Sequence, residues 1–588
     1  MTNSEIATIL RNVAAAYAIK NDAQYRFKII AYQKAADAVE NFATEIQDLI
    51  KDGKAIDLPG IGKSIQDHLE ELIKTGHVKH FENLMKDIPK AVFPLLNIPS
   101  FGPKKAYKIV SYFNLNNPDT VIEDVEKLAR EGKIAQIEGF GEKSQQDIIE
   151  AIEDYKMGAS KTARMVLPYA TELAEKVLSY LKKSPDVIEA QPLGSLRRKK
   201  ETIGDIDIAV ATRYPQKVID YFVKYPYKER ILEKGEATAS ILVSGGKHID
   251  LMVQPPESFG SLLQHFTGSK QHNIHLREFA ISKGLSLSEY GIKKKTNGEK
   301  LIKFANEKDF YNAIGLDWIP PEIREDQGEI EFASKHSLPK LVEVSDIKGD
   351  FHIHSSYPIE PSHDMGQNSM EEMIEKAKSL NYQYIGFSEH NPSISKHSQK
   401  EIYQILIKRN KYIEQIKVYN KNIRIFSLLE TDILPNGDLA ISDESLNLLD
   451  ATLVSIHSGF SMSKLEMTKR VLKGLSHPKA KILSHPTGRL LNQRAGYDLE
   501  WDEVFAFCKE YNKALEINSW PLRLDLPDVL VKIGKEKGVK FVINTDSHSK
   551  DQMDLIRYGV YVARRGWLTK DDIINTQEYN NVELWFKQ

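Results

Sequence analysis

The 588-residue chain has one cysteine, Cys508. That excludes internal disulfides and thiolate metal clusters and fits a reducing compartment. Long apolar runs are also missing: nothing approaches the ~20 residues a membrane helix needs. The opening MTNSEIATIL has neither the basic start nor the apolar core of a signal peptide. An excess of one charge is absent as well. With 80 Lys and Arg against 82 Asp and Glu the net charge is −2, so any nucleic-acid binding must come from local patches. Core-forming residues are present in ordinary amount, 41% hydrophobic, and the length calls for several domains. These bounds predict a cytoplasmic, multidomain monomer with no membrane attachment.

The densest chemistry lies in GSLRRKKETIGDIDIAV, residues 194–210. Asp205 and Asp207 alternate with Ile206 and Ile208, so both carboxylates share one face of a strand. Such a pair repels unless a cation lies between its members, which points to a divalent metal. Upstream, Gly194-Ser195 with Arg197 and Arg198 suits a tight turn offering donors and positive charge to a phosphate. A helix is expected from Thr162 to about Lys182. Farther on, ATASILVSGGKHIDLMVQ reads as two strands joined by a hairpin-type turn at Ser244-Gly245-Gly246-Lys247. On the second strand Asp250 faces the side of the first two acids if the strands are neighbours. An isolated Asp-x-Asp is usually the wet side of a strand; three acids on adjacent strands suit two Mg²⁺ ions and in-line phosphoryl transfer. HFTGSKQHNIHLR (265–277) adds a Thr-Gly-Ser turn against which a nucleotide's sugar and base would lie, with Asn273 and Arg277 on one face of the helix after it.

Before this core the pattern is helical. Ile6, Ile9, Leu10, Val13 and Tyr17 recur at helical spacing. Three segments then resemble one another: LPGIGKSI from 58, IPSFGPKKA from 98 and IEGFGEKSQ from 137, with Gly62, Gly102 and Gly141 at intervals of 40 and 39 residues. Each sets glycine directly before a lysine-bearing helix start, where free backbone N–H groups suit a phosphate oxygen. They resemble the helix-hairpin-helix by which repair proteins grip the DNA backbone without reading sequence. The DNA-binding candidates are Gly60, Gly62, Lys63, Gly102, Lys104, Gly139 and Gly141; the second copy has Ser100 in place of the first glycine.

After a polar, acidic stretch at 321–347, read as a linker, short apolar strands alternate with helices as in an α/β barrel. Histidine number says little, eight before residue 348 and nine after it. Placement says more. His352 and His354 sit i and i+2 on a strand, His390 closes YIGFSEH, Glu430 closes FSLLE, His457 ends ATLVSIH, His485 ends KILSH, and Asp546 with His548 follows FVIN. Residues at the C-terminal ends of successive strands converge at one barrel mouth. Imidazole and carboxylate without thiolate suit two or three Mn²⁺, Zn²⁺ or Fe²⁺ ions. His336, His397 and His477 lack such placement and are taken as surface residues.

GSLRR, GDID, HID, FTGS, the Asn273 and Arg277 positions and SEYGI (288–292) resemble, in order and spacing, the X-family DNA polymerases, the family of DNA polymerase beta. The resemblance implies a nucleotidyltransferase-type palm and thumb behind helical domains. It implies that Asp205 and Asp207 bind two Mg²⁺ or Mn²⁺ ions, with Asp250 binding one and helping to deprotonate the primer 3′-hydroxyl. Ser195, Arg198 and Gly204 would hold the triphosphate, Phe266 and Gly268 would lie along the sugar, Asn273 would bond the base edge and Arg277 would sense the template. The C-terminal set, with SHPTGRLL, EINSWPLRLDLPD, VINTDSHS and YGVYVARRGW, resembles the PHP domain (polymerase and histidinol phosphatase) that follows the core in many bacterial and archaeal family X enzymes. That implies a metal-dependent phosphoesterase acting on DNA as a 3′–5′ exonuclease and 3′-end-cleaning activity, in some members cutting abasic sites.

The expected fold is therefore multidomain α+β and α/β. Residues 1–88 form an N-terminal lyase-like helical domain, 89–158 helix-hairpin-helix fingers, 159–255 a palm, 256–320 a thumb, 321–347 a linker and 348–588 a PHP-type distorted (β/α) barrel. Four departures from the family stand out. His265 replaces a tyrosine, which bears on ribonucleotide discrimination. His68 occupies the position of the Schiff-base lysine of lyase members, argues against that activity and reads as an ordinary helix-surface residue. Glu389 precedes His390 where Asp is more usual. The loop after His354 is longer than usual and leaves His363 or Asp364 to complete the metal site. The expected function is gap-filling base excision repair on gapped or primed DNA with dNTPs, joined to 3′-end trimming. Two alternatives are a DNA-end-binding protein with only the PHP site active, and a small-molecule phosphatase resembling histidinol phosphatase.

Overall fold

The computed structural model describes the chain except residues 2, 21–24, 41–45, 47–61, 99–100, 157–163, 244–246, 295–299, 493 and 495. Two compact units result, Met1–Met165 with Ser244–Lys247, and Val166–Val243 with His248–Gln588.

The first unit is helical. Its helices include α1 (Asn3–Lys20), α2 (Arg26–Glu40), α3 (Lys63–Thr75), α4 (Pro103–Tyr112), α5 (Val121–Arg130) and α6 (Glu142–Lys156). Ile6, Leu10, Val13 and Tyr17 line the buried face of α1, as their spacing requires. A single apolar cluster runs from Ile6 to Ile152.

The second unit opens with α7 (Leu167–Leu181). It starts later than expected because Val166 is still extended and Pro168 sits in the first turn, where a missing N–H costs nothing; Thr162 lies outside the described residues. Next comes a five-stranded sheet of β1 (Glu189–Pro192), β2 (Ile206–Ala211), β3 (Lys228–Lys234), β4 (Thr238–Val243) and β5 (Lys247–Gln254), in the order β1-β2-β5-β4-β3. The turn expected between β4 and β5 falls outside the described residues. α8 (Gly194–Arg197) precedes β2, and α9 (Phe259–Thr267) packs Phe259, Leu262 and Leu263 against Leu193, Ala209 and Ala211. α10 (Lys270–Ser282), a small sheet of β6 (Leu285–Ser288), β7 (Gly291–Lys294) and β8 (Leu301–Ile302), and α11 (Glu307–Ala313) follow.

The acidic stretch 321–347 is not an extended linker. Ile323, Ile330, Ala333 and Leu341 join Leu276, Ile292, Phe310 and Tyr311 in one core, which also takes in Trp567 from near the C-terminus. Polar composition masked a sparse apolar face.

Beyond residue 348 lie β9 (Gly349–Ile353), β10 (Tyr384–Phe387), β11 (Arg424–Ser427), β12 (Glu430–Asp432), β13 (Thr452–Ser455), β14 (Ala480–Leu483), β15 (Ala514–Asn518) and β16 (Lys540–Asn544). β9-β10-β11 and β12 to β16 are parallel sheets. Single parallel bridges, His390 to Glu430 and Ile353 to Ser547, join them at both edges. The result is a distorted (β/α) barrel in which β11 and β12 are one interrupted strand. Phe351, Tyr384, Leu453, Ile482 and Val542 fill its core with Val582, Trp585 and Phe586 of the last helix.

Candidate active sites

The first site forms where β2 and β5 run parallel with Asp207 opposite Asp250. Asp205 lies in the bend just before β2 and is exposed, whereas Asp207 and Asp250 are half-buried. Burial first, then the Asp250 and Asp205 carboxylates, push the Asp207 carboxyl up to about 7 despite the opposing Arg198. The three acids thus converge, and their repulsion fits a site for divalent cations. Gly194 is required beside them: its φ is +56°, and a Cβ there would collide with the Asp207 carboxylate.

The expected phosphate turn is the short helix α8, which carries Ser195, half-buried, and sends its two arginines apart. Arg197 pairs with Glu307 of α11 at 2.9 Å and is thereby a structural residue. Arg198 reaches the Thr267 carbonyl, and its Nη1 lies 2.9 Å from where a Gly268 Cβ would stand. Gly204 is in the bend before Asp205. α9 ends at Gly268, with φ +70°, and α10 starts at once with Ser269 as its cap. Phe266 packs partly on the palm core. Asn273 donates to the His265 carbonyl at 2.7 Å and accepts from Gln264 at 2.8 Å, while Arg277, exposed, approaches the His265 ring at 3.4 Å. His265 therefore stands between the two residues expected to meet base and template.

The second site is the barrel mouth. His352 and His354 end β9, and Glu430 starts β12 rather than closing β11, because the strand breaks at 428–429. Glu430 is central, with nitrogens of His390, His485, His352 and His457 at 2.8, 3.0, 3.2 and 3.4 Å. Asp546 lies 3.3 Å from His354, and the His548 ring stacks on His354 at 4.1 Å. Four ligand groups emerge: His352-His354-Asp546, His354-His390-His548, His390-Glu430-His457 and His363-Asp432-His457. Between the two open choices, geometry brings His363 to Asp432 at 3.2 Å, while Asp364 belongs to none of these groups.

Metal ions fit this donor set. His354 Nδ1, His485 Nδ1 and His548 Nε2 are buried without a hydrogen-bond partner, and His352 Nε2, His354 Nε2, His390 Nδ1 and Glu430 Oε2 sit at ion-pair distance from one another or from Asp546 without an aligned hydrogen bond. Buried polar atoms are otherwise paired, so that many orphans aimed at one mouth call for cations. Burial and the His548 and His390 rings hold His354 well below the usual imidazole value. For His352 the Glu516, Asp546 and Glu430 carboxylates outweigh burial and raise it. Asp546 and His485 carry positive φ, +56° and +29°, a strained backbone held at a site of this kind.

Two residues escaped the sequence reading. Asp432 is two positions beyond Glu430, the same alternation that flagged His352 and His354, and bonds His457 at 2.7 Å. Glu516 is a lone acid in the apolar strand β15. It bonds His352 Nδ1 at 2.7 Å and Asn544 at 2.9 Å, orienting the imidazole from behind. Glu389 is not a ligand: it pairs with buried Arg409 through Nε at 2.7 Å.

In the helical unit, Gly62 and Gly102 cap α3 and α4 in matching extended conformations, φ −70°, ψ 152° and φ −78°, ψ 154°. Lys63 and Lys104 follow in the first turns, and Gly139 uses φ +81° ahead of Gly141 and α6. Gly60 and Ser100 lie outside the described residues. His68 is not an ordinary surface residue: its ring stacks on His80 at 5.0 Å and bonds Tyr32 at 2.9 Å. His397 and His477 are likewise half-buried, near Glu360 at 3.3 Å and Asp443 at 3.5 Å, whereas His336 is exposed. Among the described residues no helix is long and apolar enough to cross a membrane.

Comparison with known proteins gives a consistent picture. Residues 1–78 match a helix-hairpin-helix domain, 262–325 the DNA polymerase beta thumb and 350–520 the PHP domain. The chain is 32% identical over 590 residues to the DNA polymerase/3′-5′ exonuclease PolX of Bacillus subtilis (strain 168), covering 100% of each. It is 23% identical over 353 residues to DNA polymerase lambda of Rattus norvegicus, 55% of this chain and 56% of the relative. DNA polymerase lambda of Arabidopsis thaliana is 24% identical over 326 residues, 50% and 57%.

Proposed function

The chain belongs to the family X DNA polymerases that carry a PHP domain, and from that premise we propose how its two sites divide the work on DNA. It is a DNA-directed DNA polymerase of gap-filling repair with a 3′–5′ exonuclease activity, and it depends on divalent metal. Extension takes place at Asp205, Asp207 and Asp250, trimming at the barrel mouth. Its substrates are gapped or primed DNA and dNTPs.

Divalent cations, Mg²⁺ or Mn²⁺ at the first site and Mn²⁺, Zn²⁺ or Fe²⁺ at the second, would supply Lewis acidity and neutralise charge developing on phosphorus-bound oxygens. Asp205, Asp207 and Asp250 would hold them at the first site, and Asp250, across the strand pair, would also help take the proton of the primer 3′-hydroxyl. Arg198 and Ser195 grip the triphosphate, and Gly204 leaves room for it. Phe266 and Gly268 lie along the sugar, Asn273 meets the base and Arg277 the template strand. At the mouth His352, His354, His390, Glu430, His457, His485, Asp546 and His548, with His363 and Asp432, would hold the cations, and Glu516 fixes His352. Gly60, Gly62, Lys63, Gly102, Lys104, Gly139 and Gly141 offer the DNA backbone phosphate contacts.

The observation that carries this reading is the register of Asp207 against Asp250 beside Arg198, in a chain whose other end gathers clustered imidazoles and carboxylates spaced to hold metal. The test is a labelled one-nucleotide gap incubated with and without dNTPs. Asp207→Asn should abolish extension and keep 3′ shortening; His352→Ala with His354→Ala should do the reverse. A wild-type protein that extends no gapped primer with Mg²⁺ or Mn²⁺ sinks the polymerase assignment. Equal loss of both activities in both variants sinks the division between sites.

A further inference from the structure

The barrel helix α13 (Ile556–Arg565) meets the phosphate turn of the polymerase core. Lys199, which follows Arg198 with φ +56°, lays its Nζ 4.7 Å above the Tyr561 ring. Arg565 does more. Its Nη1 donates to the Arg198 carbonyl at 2.8 Å, to Glu325 Oε1 at 3.0 Å and to the Glu322 carbonyl at 3.2 Å. Its Nη2 pairs with Asp528, on α12 (Asp528–Glu536), at 2.6 Å. The same Glu325 oxygen accepts from Arg198 Nε at 3.0 Å. Side-chain exposure is 3% for Arg565, 14% for Glu325 and 12% for Arg198, so solvent screens these charges little.

One carboxylate oxygen thus serves two guanidinium groups, with the Lys200 ammonium farther off at 4.0 Å. Without Arg565, the carboxylate's nearest cation is Arg198, and the two would take the paired two-bond geometry that guanidinium and carboxylate prefer. That grip would turn the Nη edge of Arg198 away from Gly268 and Asp207 and set Glu325 in competition with an incoming triphosphate. With Arg565 sharing its charge, Glu325 holds Arg198 through Nε only, and the Nη edge stays on the site side, with Nη1 on the Thr267 carbonyl beside Gly268. The Arg565 contacts bury no group of the barrel-mouth cluster, so they have no evident part in the exonuclease.

We propose that Arg565 is a positioning residue for nucleotidyl transfer: through Glu325 it orients Arg198 toward the triphosphate of the incoming nucleotide, so that the PHP portion completes the polymerase site. This rests on the reading of Arg198 as a triphosphate ligand.

The test uses the full-length chain on gapped DNA. Arg565→Met is made together with Asp528→Asn, so that Asp528 is not left buried and charged without Arg565, while Glu325 keeps its charge. The pair should raise KM for dNTP about tenfold with kcat changed less than about threefold. Exonuclease turnover on single-stranded DNA and hydrogen exchange in barrel peptides away from Arg565 should stay at wild-type values. Adding Glu325→Gln should return KM to within about twofold of wild type, since the competing carboxylate is gone, whereas independent structural damage would add. Unchanged KM in the pair, an equal loss of exonuclease turnover, or a deeper loss on adding Glu325→Gln overturns the proposal. Arg198→Ala separates the two readings. If the wild type extends but Arg198→Ala leaves KM unmoved, the triphosphate role of Arg198 falls and the proposal with it. If Arg198→Ala raises KM and the Arg565 pair does not, only the proposal falls.

Discussion

Replacing Glu307 by Gln should loosen the thumb locally, and the size of the effect follows from its partners. Glu307 Oε1 accepts from Arg324 at 2.6 Å and Arg197 at 3.0 Å, and Oε2 accepts from Arg197 and from Trp318 Nε1, both at 2.9 Å. Arg324 is fully buried and Glu307 is 5% exposed. Burial alone would raise the Glu307 carboxyl, but the two guanidinium groups pull it from an ordinary 4.5 down to about 2. That lowering corresponds to about 3 kcal/mol at neutral pH. Leaving Arg324 without its counter-charge puts the loss at about 3–5 kcal/mol.

The chain has several domains, so global unfolding would mix transitions. Amide hydrogen exchange read by mass spectrometry isolates the effect. Peptides covering 259–325 should exchange roughly 150- to 5,000-fold faster in Glu307→Gln, the factor for about 3–5 kcal/mol, and barrel peptides at the wild-type rate. The carboxyl is lowered in the folded state, so its contribution is complete above 4.5 and is lost as pH falls through about 2. The gap between wild type and variant should close over that interval. Acceleration below about threefold at neutral pH, equivalent to under 1 kcal/mol, refutes the reasoning.

Three further outcomes follow from single residues. Gly194→Ala places a Cβ against the Asp207 carboxylate at φ +56°, so extension should drop about a hundredfold while 3′ shortening persists; single-nucleotide incorporation rates decide it. His363→Ala should lower bound metal, read by elemental mass spectrometry, and slow the exonuclease, whereas Asp364→Ala, outside the cluster, should change neither. Glu516→Gln keeps the volume but weakens the hold on His352 Nδ1, and should cost about 10–100-fold in metal affinity with extension unaffected; wild-type affinity would show that His352 is oriented otherwise.

Much of this was legible because strand periodicity is strict. Asp207 and Asp250 were visible as acids flanked by isoleucine and leucine, Asp205 as the acid two positions before Asp207, though it lies in the bend ahead of the strand, and the barrel-mouth histidines as ligands at the ends of apolar runs. Asp432 obeyed the same rule and could have been found; Glu516 stood out only as a charge inside an apolar strand. The acidic stretch 321–347 misled because composition averages over a segment. Its few apolar residues, Ile323, Ile330, Ala333 and Leu341, are the ones that fold it onto the thumb.

The residues two apart on a strand, the three hairpins and the sequence of strand ends are local properties, and local sterics lets a chain display them without reference to distant parts. Pairings across hundreds of residues are of another kind. That Arg197 is claimed by Glu307 while Arg198 shares Glu325 with Arg565, that His363 rather than Asp364 meets Asp432, and that His68 stacks on His80 depended on which elements pack together. Which partner a charge or ring finds is decided only when burial removes water as the alternative.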